Sequence, residues 1–453
     1  MKGGMTNDTI AALATPVGGG VAVVRISGPH AVELAEQVWR CRNRRPLAQL
    51  PARTLHLGEA GEADGMAIDR CLAVRFQAPA SYTGEDMVEI HGHGGGLVAR
   101  QILLALLNQG ARHAEPGEFT RRAFLNGKMD LTQAEAVADI VQAHSLMALR
   151  LGKRQLDGRL GQQVAGIYDR LSLLLAEVES QLDFPDEEIE RVPGQKLASE
   201  LAALQQETQM LLESRLEGEV LRQGVSLVLA GPPNVGKSSL MNAILGRDRA
   251  IVNHLPGTTR DTLEEFAHVR GIPVRLIDTA GIREARNAVE SAGIARALAS
   301  MREAQVVIWV SDVRKPMQTQ AMPPDFARLP VLGVLNKCDR LPVGSTPPAR
   351  TGEVCVSALT GDGLEELFDA VERMVWHNPH EHEPEVAVGA RHAALLEQAM
   401  PSLREAEQNL LDDQPEMAAV ALRDALEPIG MIHGKTVLPD VLDTIFSRFC
   451  IGK

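Results

Sequence analysis

Aromatic side chains are scarce in this 453-residue chain, at 3% of positions. That argues against a surface that grips single-stranded nucleic acid by stacking bases on rings. Positive charge is not in excess either: 46 Lys and Arg face 59 Asp and Glu, a formal net charge of −13. Such a balance speaks against indiscriminate coating of nucleic acid but leaves room for a local basic patch. The five cysteines, Cys41, Cys71, Cys338, Cys355 and Cys450, form no C-x-x-C pair. Neither a zinc ribbon nor a disulfide framework is signalled, and a reducing setting fits. No apolar run approaches the roughly 20 residues of a membrane span. The opening "TIAALATPVGGG" is too short and too broken by Pro16 and its glycines to serve as a secretory signal. A cytoplasmic protein is expected. Internal repeats and low-complexity tracts are missing too.

The length predicts about three domains, each able to bury a core. Over residues 1–119, the runs "GVAVVRISG", "CLAVRFQ" and "MVEIHGHGGG" read as strands. "LVARQILLALLNQG" reads as a helix stopped by Gly110, giving an α+β domain. Residues 120–220 carry apolar positions at three-four spacing, with Asp130 and Gln133 as a capping box, and predict an α-helical bundle. A second long helix there ends at Gly224. From 221 to 377, the buried strands "SLVLA", "VRLID", "QVVIWVS" and "VLGVLNK" alternate with helices. That alternation predicts a parallel α/β sheet. After the polar linker "HNPHEHEPE", helices return over 378–453, so the α/β domain reads as an insertion in the helical one.

"GPPNVGKS" at 231–238 is a G-x-x-x-x-G-K-[ST] loop lying between a buried strand and a helix. Gly231 and Gly236 let backbone N–H groups wrap phosphates, Lys237 reaches the β- and γ-phosphates, and Ser238 can ligate Mg²⁺. Asn234, Val235 and Ser239 complete the lining of the phosphates. In "DTAG" (278–281), Asp278 can hold the Mg²⁺ shell, and Gly281, after Thr279 and Ala280, can donate to the γ-phosphate. In "NKCD" (336–339), the Asp339 carboxylate can accept both donors on the edge of guanine, beside Asn336 and Lys337. Adenine lacks that donor pair, and a carboxylate left unpaired by the wrong base is costly. "SAL", Ser357, Ala358 and Leu359, completes the base side. In this order and on these strands, the motifs specify a Ras-like P-loop GTPase.

Two positions depart from a simple Ras-like switch. Ile282 follows "DTAG" where a water-positioning glutamine would stand, leaving Glu284 as the nearest group able to orient water. Asn234, together with "NHLPGTTRD" (253–261), offers amide, carbonyl and hydroxyl oxygens to a monovalent cation. Such a cation would neutralise transition-state charge as an arginine finger does. Thr259 would then be the switch threonine on Mg²⁺. "HGHGGG" lacks the G-x-S-x-G elbow of a hydrolase and a third metal ligand, and reads as a glycine-rich turn.

The chain ends "CIGK". With Gly452 in an aliphatic slot and Lys453 last, it is not a prenylation signal. Cys450 is then either a small packing residue on a terminal helix or part of an active site.

With "GTTRD", "DTAGIRE", "NKCD", "VRISG", "SYTGEDMVEIHGHGG", "PGEFTRRAFLNGKMDLTQAEAVADI", "DFPDEEIE" and "CIGK", the sequence resembles the MnmE-type (TrmE) tRNA modification GTPases over essentially its whole length. The resemblance implies an amino-terminal domain that dimerises and binds 5-formyl-tetrahydrofolate. It places Arg25, Glu89, Lys128 and Lys453 at the folate. It implies K⁺ held by Asn234, Asn253, the Leu255 carbonyl and Thr258, a homodimer, and a complex with an FAD-dependent subunit. That complex modifies carbon 5 of the wobble uridine in certain tRNAs. Lys453 at the folate would bring Cys450 close to the chemistry. Two other readings stand beside this one: a ribosome-assembly GTPase, and a folate-dependent one-carbon enzyme with a regulatory GTPase.

Overall fold

The structure, a computed structural model, describes residues 8–62, 65–143, 145–183, 192–247, 264–278, 304–314, 329–342, 352–376, 385–434 and 439–453. The chain divides into two compact units, one of residues 1–138, 156–191 and 414–453, the other of residues 139–155 and 192–413.

In the first unit seven strands form one sheet. They are β1 (Ile10–Leu13), β2 (Val21–Ser27), β3 (Trp39–Cys41), β4 (His56–Gly61), β5 (Ala67–Phe76), β6 (Met87–His93) and β7 (Arg112–His113). Their order is β3-β4-β5-β6-β2-β1-β7. The period-two pattern of "VAVVRIS" sends Ala22, Val24 and Ile26 into the core and leaves Val23 and Arg25 on the other face. Helices α1 (Ala31–Val38) and α2 (Gly96–Asn108) cover the apolar face around Trp39, Ile90, Ile102 and Leu106. Helix α2 stops as expected, with Gly110 following at φ +111. The opposite face carries charge at two places, Arg25 across from Glu89 and Arg40, Glu59 and Arg70 in register on β3, β4 and β5, with Leu72 and Val74 between them.

Helices α3 (Glu118–Leu125), α4 (Leu131–Val141) and α5 (Leu146–Leu156) follow. The capping box is formed: the Gln133 N–H donates to the Asp130 carboxylate at 2.8 Å, and the Asp130 N–H to the Gln133 side chain at 2.9 Å. The long helices are shared between the units. In the first, α6 (Arg159–Asp183) packs along Pro415–His433; in the second, α7 (Gly194–Gln223) packs along Ala390–Leu411. Helix α7 ends at Gly224, φ +74, where a Cβ would crowd the Pro273 carbonyl.

The second unit carries a six-stranded sheet: β8 (Val225–Ala230), β9 (Glu264–Val269), β10 (Ile272–Asp278), β11 (Val306–Asp312), β12 (Val331–Asn336) and β13 (Glu353–Cys355). The order is β13-β12-β11-β8-β10-β9. The four expected strands are present and parallel. The edge differs from the all-parallel expectation, because β9 runs antiparallel to β10. Arg270 and Gly271, at φ +51 and +81, make the two-residue reversal that a hairpin favours. Helices α8 (Lys237–Arg247) and α9 (Leu364–Val375) flank this sheet, and every residue of β8 is buried. Helices α10 (Ala390–Leu411), α11 (Pro415–His433) and α12 (Pro439–Phe446) complete the chain.

Candidate nucleotide site and amino-terminal pocket

The loop after β8 sits beside the end of β11, where strand order reverses and open α/β sheets bind ligands. Two glycines fix its shape. At Gly231, φ +146, a Cβ would run into the Val310 carbonyl; at Gly236, φ +95, it would run into the Asn336 amide. Lys237 is buried at 8% exposure, and its ammonium donates to the Gly231 and Pro232 carbonyls at 3.2 and 3.0 Å. The positive charge is therefore held against the loop at the start of α8, where the helix dipole also favours an anion. Asn234 (φ +63), Ser238 and Ser239 are exposed, and Val235 is buried. A glycine cradle, a centred ammonium and a helix N-terminus are what a polyphosphate requires.

Asn336 joins three motifs. It is 1% exposed, and its amide donates to the Val235 and Gly236 carbonyls at 2.9 and 3.4 Å. Its oxygen accepts the Lys337 N–H at 2.8 Å and the Ala358 N–H at 3.1 Å. One side chain thus ties the phosphate loop to "NKCD" and to "SAL". Lys337, left-handed at φ +68, donates to the Asn234 carbonyl and pairs with Asp312 at 3.1 Å. Arg314, then Lys337, hold the Asp312 carboxyl well below its usual range. The Ser357 hydroxyl, fully buried, donates to Asp339 at 2.7 Å and orients the exposed carboxylate assigned to guanine. Leu359 is 84% exposed. Burial, then the neighbouring Cys355, pushes the Cys338 thiol up to about 12, so the cysteine inside this motif stays neutral.

A second constellation lies in the first unit. Arg25, Glu89 and Lys128, far apart in sequence, line one cavity of about 310 Å³ with Arg53, Tyr82 and Met87. Arg25 pairs with Glu89 at 2.9 Å and lies over the rings of Tyr82 and Phe119, at 5.4 and 5.6 Å. Burial raises the Glu89 carboxyl, but hydrogen bonding from His91 and the Arg25 charge outweigh it, leaving the group below its ordinary value. The Lys128 ammonium donates to the Pro79 carbonyl at 2.9 Å.

The chain end is tied to one residue of this cavity, since Arg25 donates to the Gly452 carbonyl at 3.3 Å. Leu442, Ile445, Phe446 and Phe449 bury against Leu131 and Ala134, and Ile451 bridges Pro116. Gly452, φ +96, lies so close to the Leu13 carbonyl that no side chain fits. Lys453 follows directly but is not among the residues lining the cavity. Cys450 is exposed and lies beyond the terminal helix, so the buried packing role does not hold.

Comparison with known proteins decides the family. A model of the MnmE helical domain matches residues 131–450, and one of the GTP-binding protein TrmE N-terminus matches residues 9–128. The tRNA modification GTPase MnmE of Syntrophotalea carbinolica is 42% identical over 99% of this chain and 100% of its own length. That of Akkermansia muciniphila is 43% identical over 98% and 99%. The chain belongs to the MnmE family of tRNA modification GTPases. Like its relatives, it is a GTP hydrolase with a Ras-like P-loop domain. Among solved structures, the G domain of the T. maritima FeoB iron transporter matches 34% of this chain and 99% of that chain, at 27% identity and a TM-score of 0.24.

Several sequence-predicted MnmE residues lie outside the described residues: Asn253, Leu255, Thr258, Thr259, Thr279, Ala280, Gly281 and Glu284; Asp278 is described in its backbone alone. Tyr82 and Arg53 are cavity residues that motif reading passed over. Tyr82 carried a signal: it is one of two tyrosines in the chain and stands in the quoted "SYTGED". Among the described residues no helix is long and apolar enough to cross a membrane.

Proposed function

We propose that this chain is the GTP-hydrolysing subunit of a cytoplasmic complex that modifies carbon 5 of the wobble uridine, position 34, in certain tRNAs. The added group is of the carboxymethylaminomethyl type. The observation that carries the reading is the double site: a nucleotide site locked by Asn336, and a cavity lined by Arg25, Glu89 and Lys128, whose Arg25 bonds the chain end. Arg25, Glu89 and Lys128 would hold 5-formyl-tetrahydrofolate in the cavity as the one-carbon ligand. Guanidinium and ammonium groups suit its glutamate carboxylates, and the Glu89 carboxylate suits pterin N–H donors.

Ser238, Thr259 and Asp278 are assigned to Mg²⁺, whose preference is for oxygen ligands. Asn234, Asn253, the Leu255 carbonyl and Thr258 are assigned to K⁺, and their neutral oxygens suit a monovalent cation. These ions neutralise phosphate charge when bound. The chain's own part is to hold the phosphates with Lys237 and backbone N–H groups, and to orient water with Glu284. GTP binding favours closure of a homodimer because γ-phosphate contacts exist in one state only. An FAD-dependent subunit completes the complex.

The test is wobble-uridine modification in tRNA from a deletion strain carrying the parent chain or Cys450→Ser. Restoration by the parent alone, with equal GTP hydrolysis, assigns the exposed thiol to the chemistry. Restoration by both removes Cys450 from it. Restoration by neither ends the modification reading and leaves ribosome assembly in its place.

A further inference from the structure

Between Glu36 and Glu59 the sequence contains five arginines and no acidic residue, although acids outnumber bases in the chain as a whole. Arg40, on edge strand β3, and Arg42, Arg44 and Arg45, in the turn after it, line a cavity of about 820 Å³ with Arg70 of β5. All five are exposed, and none of their guanidiniums has a hydrogen-bond or ion-pair partner among the described residues. Three glutamates share the lining, and one of them, Glu36, is engaged by the Ala48 N–H at 2.7 Å. Arg44 is left-handed, φ +59, in a chain turn closed by its N–H on the Cys41 carbonyl. That hydrogen-bonded turn sets the three arginines side by side after the strand edge.

We infer that this arginine platform docks the phosphate backbone of the tRNA on the first unit. Unpaired guanidinium forks match phosphate geometry, and their spread along an exposed strand edge suits a chain of phosphates better than one small anion. The ring available here, Trp39, is 1% exposed, so the contact reads phosphates and not bases. The arrangement also gives the platform a direction. Arg40 and Arg70 share one sheet face with Arg25 and Glu89, and β3 is four strand steps from β2. At about 4.8 Å per step that is about 19 Å, or about five or six phosphates along one strand of a duplex. The same acid-free segment contains Arg53, which lines the cavity assigned to the folate. RNA held by the platform would therefore lie along the face that opens to that cavity. The inference rests on the tRNA reading above and names where the tRNA docks.

The experiment measures binding of an unmodified tRNA transcript to the full chain between about 50 and 200 mM salt. The parent is compared with combined Arg40→Ala, Arg42→Ala, Arg44→Ala and Arg45→Ala, and with the same four positions changed to Lys. GTP hydrolysis serves as the fold control. The alanine variant is expected to lose at least about tenfold in affinity and about 3 in the slope of log K against log salt, while the lysine variant keeps the slope. Unchanged affinity and slope in the alanine variant overturn the inference, as does a parent that binds no tRNA. A variant that loses self-association and keeps tRNA affinity also overturns it, making the patch a protein interface. Wobble modification by the parent in the complementation assay separates these failures from failure of the functional reading itself.

Discussion

The nucleotide site and the amino-terminal pocket both gather cationic side chains, yet they are built in opposite ways. The nucleotide site is a loop of consecutive residues whose backbone does the holding. Its buried long-range tie, Asn336, spends both faces of its amide on the surrounding loops, and Lys337 adds a second tie at the Asn234 carbonyl. The pocket has no such loop. It is assembled from β2, β5, β6 and three connecting segments, and it is held by side chains: Arg25 on Glu89, Arg25 over two rings, and Arg25 on the Gly452 carbonyl of the chain end. Backbone-built sites depend on glycine and local sequence; side-chain-built sites depend on register and on a tail arriving in place.

The largest expected effect is at the ammonium. Lys237→Ala should lower GTP hydrolysis by roughly 10²–10³-fold, the usual loss on removing a group that stabilises transition-state charge. Folate affinity, measured by calorimetry on the same protein, should not move. Loss of both would show that the two sites are not independent.

Arg25→Ala is the mirror experiment. It removes a charged hydrogen-bond partner from Glu89 and from the chain end, about 1.5–3 kcal/mol. Folate binding should weaken roughly 10–100-fold with GTP turnover intact.

Asn336→Ala leaves the Ala358 N–H without its partner and frees the phosphate loop. It should cost about 1–3 kcal/mol in the unfolding of the GTPase unit, read by urea titration, and weaken GTP binding in parallel. Unaltered stability would mean the three motifs are held together by something else.

Gly452→Ala tests the tail. A left-handed alanine pressed against the Leu13 carbonyl should lift the chain end at a cost of about 1–3 kcal/mol. The loss should appear in folate affinity and not in GTP affinity.

The smallest effect is on pH dependence. The Glu89 carboxyl lies below its ordinary value of 4.5, so its pair with Arg25 is fully formed above that value and lost as pH falls through the lowered one. Folate affinity in the parent should therefore show a loss below pH 4.5 that Glu89→Gln lacks.

The P-loop, "NKCD" and "SAL" were legible because each is a short stretch whose neighbours in the chain set its local shape, and the strand pattern located them on a parallel sheet; "DTAG" lies, after Asp278, outside the described residues. Capping by Asp130 and Gln133, and the stops at Gly110 and Gly224, were legible for the same local reason. The antiparallel β9 was not, since its hairpin turn is Arg270–Gly271 and no asparagine or aspartate announced it. Nor could spacing show that Tyr82 would lie under Arg25, or that Cys450 would be exposed.

The sequence by itself determined the order of elements, the GTPase chemistry and the family, because backbone-wrapped phosphates and strand-helix alternation are encoded locally. Tertiary structure alone decided that Arg25, Glu89 and Lys128 share a cavity, that Arg25 also bonds the chain end, and that Arg40 and Arg70 stand unpaired on the same sheet face. Those are consequences of strand register and of a tail buried through Phe446 and Phe449. Contacts between residues hundreds of positions apart leave no period or spacing in the chain to read.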